Sequence, residues 1–451
     1  MFSMSRVKQY LLRCTPESMW PYNKVYCETE KLIKNIESWD KERIKKWQFN
    51  ELKKLINFTW ENSEGYRTHW IANDFKPSDL CSLTDIHKIP FITKDIIQNN
   101  LDLFSTKGSR DRYKVSTGGS TGVPLSFYNS KKFRTVEDCF INSIWSQFYP
   151  SLKRKTARTI LRGGVITGNL KYDPLFGLRL SSRDVTPEIV HKFILAIDEF
   201  KTPIFHVYPS SLYIVAKLML SNGIDRPKHR FKMICFGSEP LYNFQIDTIK
   251  KVFDEPRCFW YGSTEKVVLA GNCSGNDNFH IYPQYGVTEI IKTDNNVATA
   301  GEVGEIVGTS FWGLDTPFIR YKSGDMARVG GEGCESCGRD YQLLESVEGR
   351  IQEFVVGNNN ALLSMTYINA HDDIFDSIKQ FRFKQEHIGI VEFLFVRKEN
   401  KIPLLNDISE RLKLSFGPNY TIILKEVDEI LLTRSGKMSF LEQSLDIKKY
   451  L

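Results

Sequence analysis

The sequence predicts an α/β protein: a large N-terminal α/β domain followed by a small α+β domain. Three observations carry that prediction. Apolar runs at residues 159–161, 204–208 and 233–236 read as buried strands, and residues 211–220 read as the helix between two of them. Strands alternating with helices imply crossover connections in a mostly parallel sheet. From Gly286 to Ala327 the pattern turns to β: residues 287–291, 304–308 and 318–321 are short strand-like runs broken by Gly, Asn and Pro. The final stretch, after about residue 352, has strand candidates of its own at 391–396 and 420–424, and its length of about 100 residues suits a small domain.

The elements follow in chain order. Between about residues 24 and 70, Leu32, Ile33, Ile36, Trp39, Ile44, Trp47, Leu52, Leu55 and Ile56 recur at three- and four-residue intervals with Lys and Glu between them, which predicts helices. Residues 83–94, with Thr84-Asp85 and Pro90 in them, read as connecting structure before another short helix. Phe140, Ile144, Trp145 and Phe148 form one face of a further helix. Phe140, Trp145 and Tyr208 are candidates to line a pocket, although aromatics at helical spacing are more often plain core.

Bulk properties exclude several classes. The 451 residues are 41% hydrophobic and 25% charged, an ordinary balance for a water-soluble fold. No run reaches the ~18 apolar residues of a membrane span. Tyr10-Leu11-Leu12 is followed at once by Arg13, too short an apolar stretch for a signal peptide, so a cytoplasmic protein is expected. The net charge of +7 is spread along the chain, with short runs such as Lys153-Arg154-Lys155. Nucleic-acid binding, which favours a concentrated basic stripe, is therefore not expected, whereas an anionic small substrate suits the bias. Nine cysteines without a secretory signal point to metal binding or buried thiols. Cys14, Cys27, Cys81, Cys139, Cys235 and Cys258 are expected as core thiols.

The most informative segment is Ser116-Thr117-Gly118-Gly119-Ser120-Thr121-Gly122, made only of glycines and hydroxyl residues. Such a stretch brings backbone N–H groups and hydroxyls close to phosphate oxygens, because glycine tolerates the turns required. It lacks the Gly-Lys-Ser/Thr ending of the common nucleotide loop, and a polar surface turn is the alternative. Four further turns stand out. Gly237-Ser238-Glu239 follows a predicted strand, where ligands bind in open α/β sheets. Tyr261-Gly262-Ser263-Thr264-Glu265 repeats that design with a carboxylate. Arg320-Tyr321-Lys322-Ser323-Gly324-Asp325 places an acid after glycine, suited to a ribose diol. Thr433-Arg434-Ser435-Gly436-Lys437 sets one lysine after a turn.

In this order and at these separations the five segments resemble the adenylate-forming superfamily of acyl- and aryl-CoA ligases, most closely the phenylacetate–CoA ligase branch and its relatives in capsule and O-antigen clusters. Residues 83–94, residues 205–212 and Gly349-Arg350 extend the resemblance over nearly the whole chain. It implies an adenylation domain over 1–350 (helical part about 24–100, zinc-knuckle insertion about 273–339) and a mobile C-terminal lid over 351–451. It also implies ATP-dependent activation of a small carboxylic acid, with Mg²⁺, and transfer to CoA, a carrier-protein thiol or a sugar amine, in polysaccharide assembly. A homodimer is compatible with it.

By the same resemblance, residues Ser116 to Gly122 wrap the β- and γ-phosphates, and Gly237, Ser238, Glu239 and Tyr261 border adenine, with Gly262 and Ser263 in the same site. Thr264 contacts the α-phosphate, Glu265 holds Mg²⁺, Asp325 with Arg350 binds the ribose, and Lys437 reaches the α-phosphate and the substrate carboxylate. The lid pivots near Gln352. Two positions depart from the family pattern: Val123 stands where many relatives have Lys, and Gln352 where an acid or lysine is commoner. An adenylyltransferase acting on a cofactor hydroxyl, and a non-catalytic scaffold, are the rival readings.

Cys334-Glu335-Ser336-Cys337 is a C-x2-C pair, and Cys273 and His280 lie upstream at C-x6-H spacing. Together they make a Cys₃His set, which Zn²⁺ favours, and a filled set of four implies a structural ion. Unrelated thiols or a redox dithiol are the alternatives. His206, in an apolar strand, is read as a satisfied core histidine near the expected acyl pocket; His371 carries no assigned role.

Overall fold

The computed structural model describes residues 11, 13–117, 125–162, 166–182, 185–238, 243–292, 294–347, 354–364, 377–399, 402–430, 441–445 and 449–450. The helices are α1 (Asn23–Ile36), α2 (Lys41–Asn62), α3 (Glu64–Ala72), α4 (Lys94–Asn99), α5 (Leu101–Phe104), α6 (Lys131–Ser146), α7 (Pro187–Phe200), α8 (Pro209–Ser221), α9 (Asn243–Lys250) and α10 (Leu405–Phe416). The strands of the first part are β1 (Arg112–Ser116), β2 (Ser126–Ser130), β3 (Arg158–Arg162), β4 (Leu170–Asp173), β5 (Gly177–Ser181), β6 (Ile204–Val207), β7 (Met233–Phe236) and β8 (Arg257–Gly262). After them come β9 (Leu269–Cys273), β10 (Asn276–Ile281), β11 (Gly286–Ile291), β12 (Val303–Ser310), β13 (Tyr321–Cys334) and β14 (Arg339–Val347). The C-terminal strands are β15 (Phe354–Val356), β16 (Leu362–Ser364), β17 (Ile378–His387), β18 (Ile390–Arg397), β19 (Thr421–Glu426) and β20 (Leu441–Gln443).

A twelve-stranded sheet runs in the order β11-β12-β13-β14-β10-β9-β8-β7-β6-β3-β5-β4. Its β5-β3-β6-β7-β8 section is parallel, and from β8 to β11 every pair is antiparallel. The parallel strands β6 and β7 are buried at every position, because helices cover both faces. On one face Leu161, Leu180, Phe205, Val207, Ile234 and Phe236 pack with residues of α7 and α8, such as Phe193 and Leu212. On the other face Ile204, Met233, Cys235 and Cys258 pack under Phe140, Ile144 and Trp145 of α6 and Ile33 and Ile36 of α1. Asp40, Ser63, Ser130 and Thr186 cap α2, α3, α6 and α7, each accepting a bond from the backbone N–H of the third residue beyond. The fold class is thus the α/β arrangement expected, and the C-terminal part holds its own four-stranded sheet β19-β18-β17-β20 with α10 packed on it.

Two sequence expectations need correction. Residues 318–320 are not strand: Arg320 sits at φ 49°, and β13 begins only at Tyr321. The side chain of Arg320 is drawn inward to a buried partner, which the apolar look of Phe318-Ile319 did not reveal. Cys139, Cys235 and Cys258 are buried as expected, but Cys14, Cys27 and Cys81 are exposed. Cys27 lies off the buried stripe of α1, which is formed by Thr29, Ile33 and Ile36.

Candidate functional site

β1 and β2 form an antiparallel hairpin whose last pair is Ser116 with Ser126. Beyond it Thr117, itself buried, closes the base of the glycine-rich loop by two bonds. Its N–H donates to the Leu125 carbonyl at 2.9 Å, and its hydroxyl accepts from the Leu125 N–H at 2.9 Å. Gly118, Gly119, Ser120, Thr121 and Gly122, with Val123, lie outside the described residues, as do Glu239, Gly349, Arg350, Gln352, His371 and Lys437.

The remaining candidates gather at the C-terminal ends of parallel strands, where an open α/β sheet presents its ligand crevice. Gly237 and Ser238 follow β7. A Cβ on Gly237 would lie 2.3 Å from Nε1 of Trp260, so only glycine fits beneath that indole. The Trp260 Nε1–H is buried with no acceptor among the described residues. Tyr261 and Gly262 end β8, and Ser263, Thr264 and Glu265 form the turn after it.

The structure joins this turn to β13, which is not its neighbour in the sheet. The Tyr261 hydroxyl donates to Asp325 Oδ2 at 2.9 Å, and the Tyr321 hydroxyl donates to Glu265 Oε1 at 3.2 Å. Burial pushes the Tyr261 phenol well above its ordinary range, and the Asp325 carboxylate adds to the shift, so the phenol remains a donor. Gly324, at φ 78°, makes the bend before Asp325, and its N–H donates to Glu305 at 3.0 Å. Thr264 is exposed and Glu265 half-buried beside it. Two residue types selected from sequence, the acid after glycine and the acid of the hydroxyl-rich turn, are therefore held in one place by two tyrosines.

Two side chains to which sequence reasoning gave no role, Lys266 and Arg320, fix this geometry. Ser238, Lys266 and Arg320 each adopt a positive φ (69°, 57° and 49°) at the three turns, a conformation that costs an L-residue roughly 1–2 kcal/mol. Lys266 reaches Glu137 of α6 at 2.6 Å, with both side chains nearly buried. Arg320 binds Glu289 through Nε at 2.9 Å and Nη2 at 2.8 Å, and its Nη1 donates to the carbonyls of His87 and Ile89. Those carbonyls belong to the 83–94 segment, whose Ile92 bridges to Tyr321, so that segment braces the β13 turn. The adjacency of Arg320 to Tyr321 was the available signal.

A second cluster stands at the far end of the same sheet section. Cys273 ends β9, His280 lies in β10, Cys334 ends β13 and Cys337 lies in the β13–β14 turn. Their ligand atoms all lie within 4.8 Å of one another, with Cys273 Sγ to Cys334 Sγ at 4.0 Å and Cys337 Sγ to His280 Nε2 at 3.4 Å. A tetrahedral ion with Zn–S bonds near 2.3 Å has S···S edges of about 3.8 Å, so the spacing fits. His280 Nδ1 lies 3.0 Å from the Asn278 carbonyl; donating there leaves the Nε2 lone pair directed at the thiols.

No protein-family model matches the chain. It is 24% identical over 442 residues to Protein CapK of Staphylococcus aureus, across 93% of this chain and 92% of that protein. It is 25% identical over 334 residues to phenylacetate-coenzyme A ligase of Aromatoleum evansii, across 72% and 74%. Among solved structures, 2-hydroxyisobutyryl-CoA ligase in complex with 2-HIB-AMP and CoA aligns with a TM-score of 0.60 at 17% identity, over 90% of this chain and 91% of that one, a likeness of fold. The shared fold, the near full-length match to one relative and the ligase matches over most of the chain agree with the motif order, and the chain is similar throughout to adenylate-forming acyl- and aryl-CoA ligases.

Proposed function

We propose that this chain activates a carboxylic acid with ATP as an acyl-adenylate, releasing pyrophosphate, and passes the acyl group to CoA or another thiol or amine acceptor. The observation that carries the reading is the convergence of the Tyr261–Glu265 turn with Asp325 and Tyr321 at the C-terminal edge of the parallel strands. In this reading Asp325, oriented by Tyr261, takes the ribose hydroxyls together with Arg350. Gly237, Ser238 and Glu239 border the adenine beside Tyr261, with Gly262 and Ser263 lining the same crevice. Thr264 donates to the α-phosphate, and residues Ser116 to Gly122 wrap the departing pyrophosphate from the hairpin that Thr117 closes.

Attack of a carboxylate on the α-phosphate brings two anions together, so the protein's task is positioning and charge neutralisation. Glu265, a half-buried oxygen donor, is the residue that would hold Mg²⁺, which supplies positive charge at the phosphates. Lys437 supplies the other positive charge, and its carriage in and out of the site by the C-terminal part around residues 349–352 belongs to the same proposal. Cys273, His280, Cys334 and Cys337 fit a structural zinc with four protein ligands, stapling the β9–β10 and β13–β14 hairpins away from the chemistry. The match to CapK and the motif resemblance support a role in polysaccharide assembly, with a carrier protein or sugar amine as alternative acceptors.

ATP–pyrophosphate exchange across a panel of acids tests the reading. Exchange with at least one acid is expected; AMP retained on a product points to adenylyl transfer, and silence with every acid leaves only a scaffold. Lys437→Ala is expected to abolish exchange while thioester formation from a supplied acyl-adenylate survives, and equal loss in both steps counts against a lysine used only in adenylation.

A further inference from the structure

Strand β3 carries a charge pattern that the reading above leaves unused. Arg158, Ile160 and Arg162 alternate onto one face, and in register with Ile160 stand Arg179 of β5 and His206 of β6. Three arginines and a histidine thus surround a single isoleucine. The apolar layer under α6 covers β6, β7 and β8 on this face but contains no residue of β3 or β5, and Arg158, Ile160, Arg162 and Arg179 are all only half-buried. Trp145 of α6 lies against His206 and over the Arg158 guanidinium, while Arg162, the last residue of β3, stands at the same C-terminal edge as the adenylation turns.

Of the three guanidiniums, that of Arg162 is the least compensated. Nε of each is buried and has no acceptor among the described residues. Arg179 pairs with Asp173 at 3.0 Å. The acid near Arg158 is Asp138, which also lies within the fields of Arg134, Arg154 and Lys266. Arg162 has no carboxylate partner among the described residues: its Nη2 lies 3.4 Å from His206 Nε2, and its guanidinium stacks over the Tyr208 ring at 4.9 Å. Burial, reinforced by Arg162 and Arg158, holds His206 well below its ordinary range, so it is a neutral acceptor and brings no charge. Arginine stays protonated throughout, and an unpaired one is best matched by a planar anion accepting two bonds.

β3 stands two strands from β7 and three from β8, hence roughly 10–14 Å from Ser238 and the Thr264–Glu265 turn at ordinary strand spacing. We propose that the activated acid carries a second anionic group, carboxylate or phosphate, which Arg162 binds while the first carboxylate is adenylated. This rests on the acid-activation reading and names its substrate class.

The test is ATP–pyrophosphate exchange with dicarboxylic acids from succinate to suberate, their monomethyl esters, the chain-matched monocarboxylic acids, and 3-phosphonopropionate. A dianionic acid is expected to exceed its ester or monoacid at least about 10-fold in kcat/KM, the range of a lost bond to a charged group. Arg162→Gln is expected to erase that preference through KM with kcat retained. The phosphonate against the dicarboxylates shows which anion the site prefers. Exchange with monoacids or esters at parity with the diacids overturns this inference and leaves acid activation standing. Silence with all of them overturns both. The ester comparison uses the unaltered protein, so it decides the matter even where Arg162→Gln fails to fold.

Discussion

Arg320→Ala removes a side chain whose every polar group is engaged. Both partners of the pair are nearly buried, Arg320 at 5% and Glu289 at 8% side-chain exposure. The variant leaves the Glu289 carboxylate without its bidentate partner and the His87 and Ile89 carbonyls without their donor. Breaking a buried pair from one side costs about 3–5 kcal/mol, because the remaining charge is stranded. The two carbonyls add about 1–3 kcal/mol each where water does not reach them. The arginine also lies 4.1 Å over the Phe91 ring, so contact with the 83–94 segment loosens as well. Calorimetry of the purified variant should show a lowered Tm, and exchange activity should fall with it, since Tyr321 and its bond to Glu265 follow directly in the chain. Arg320→Met with Glu289→Met leaves no stranded charge and should recover much of the Tm. A single variant as stable as the parent, or a double variant worse than the sum of the two singles, would refute the reasoning.

Three further outcomes follow from the geometry. Tyr261→Phe removes one bond to the Asp325 carboxylate and should raise KM for ATP about 10-fold or more in exchange kinetics, with little change in Tm. Gly237→Ala places a methyl 2.3 Å from the Trp260 indole nitrogen; a cost of about 1–3 kcal/mol is expected in the melt, relieved when Trp260→Leu is added. Elemental analysis of freshly purified protein should give one zinc per chain, and Cys334→Ser should lose it and melt earlier; a metal-free parent protein would remove the zinc assignment.

How much of this the sequence disclosed depended on how local each signal was. Residues 233–236 were read with the bounds of β7, because a strand buried on both faces is a continuous apolar run. The Cys₃His set was visible in its C-x2-C and C-x6-H spacings, although the approach of the two hairpins that brings its ligand atoms within 4.8 Å of one another is a property of strand order β13-β14-β10-β9. The Tyr261–Asp325 bond spans 64 residues between strands that are not neighbours, so no window could show it. The charge alternation Arg158-Thr159-Ile160-Leu161-Arg162 was legible, since period two on a strand puts both arginines on one face. It was overlooked because the inner three residues already sufficed for a buried strand.

The residues chosen at the turns argue that the site is held rigid. Glycine would take the positive φ of Lys266 or Arg320 without steric penalty, and it is the default where only the bend matters. Instead each position carries a long cation whose head is anchored in the interior, Lys266 on Glu137 of α6 and Arg320 on Glu289 of β11. The strain of roughly 1–2 kcal/mol at each is offset by a partner whose loss would strand a buried charge. A glycine would also widen the unfolded ensemble and leave the turn free to rotate. Tying the residue after Glu265 to α6, and the residue before Tyr321 to β11, fixes both ends of the Glu265–Tyr321 contact from opposite sides. For the proposed chemistry, which aligns two anions, a fixed Glu265 is worth more than an adaptable one.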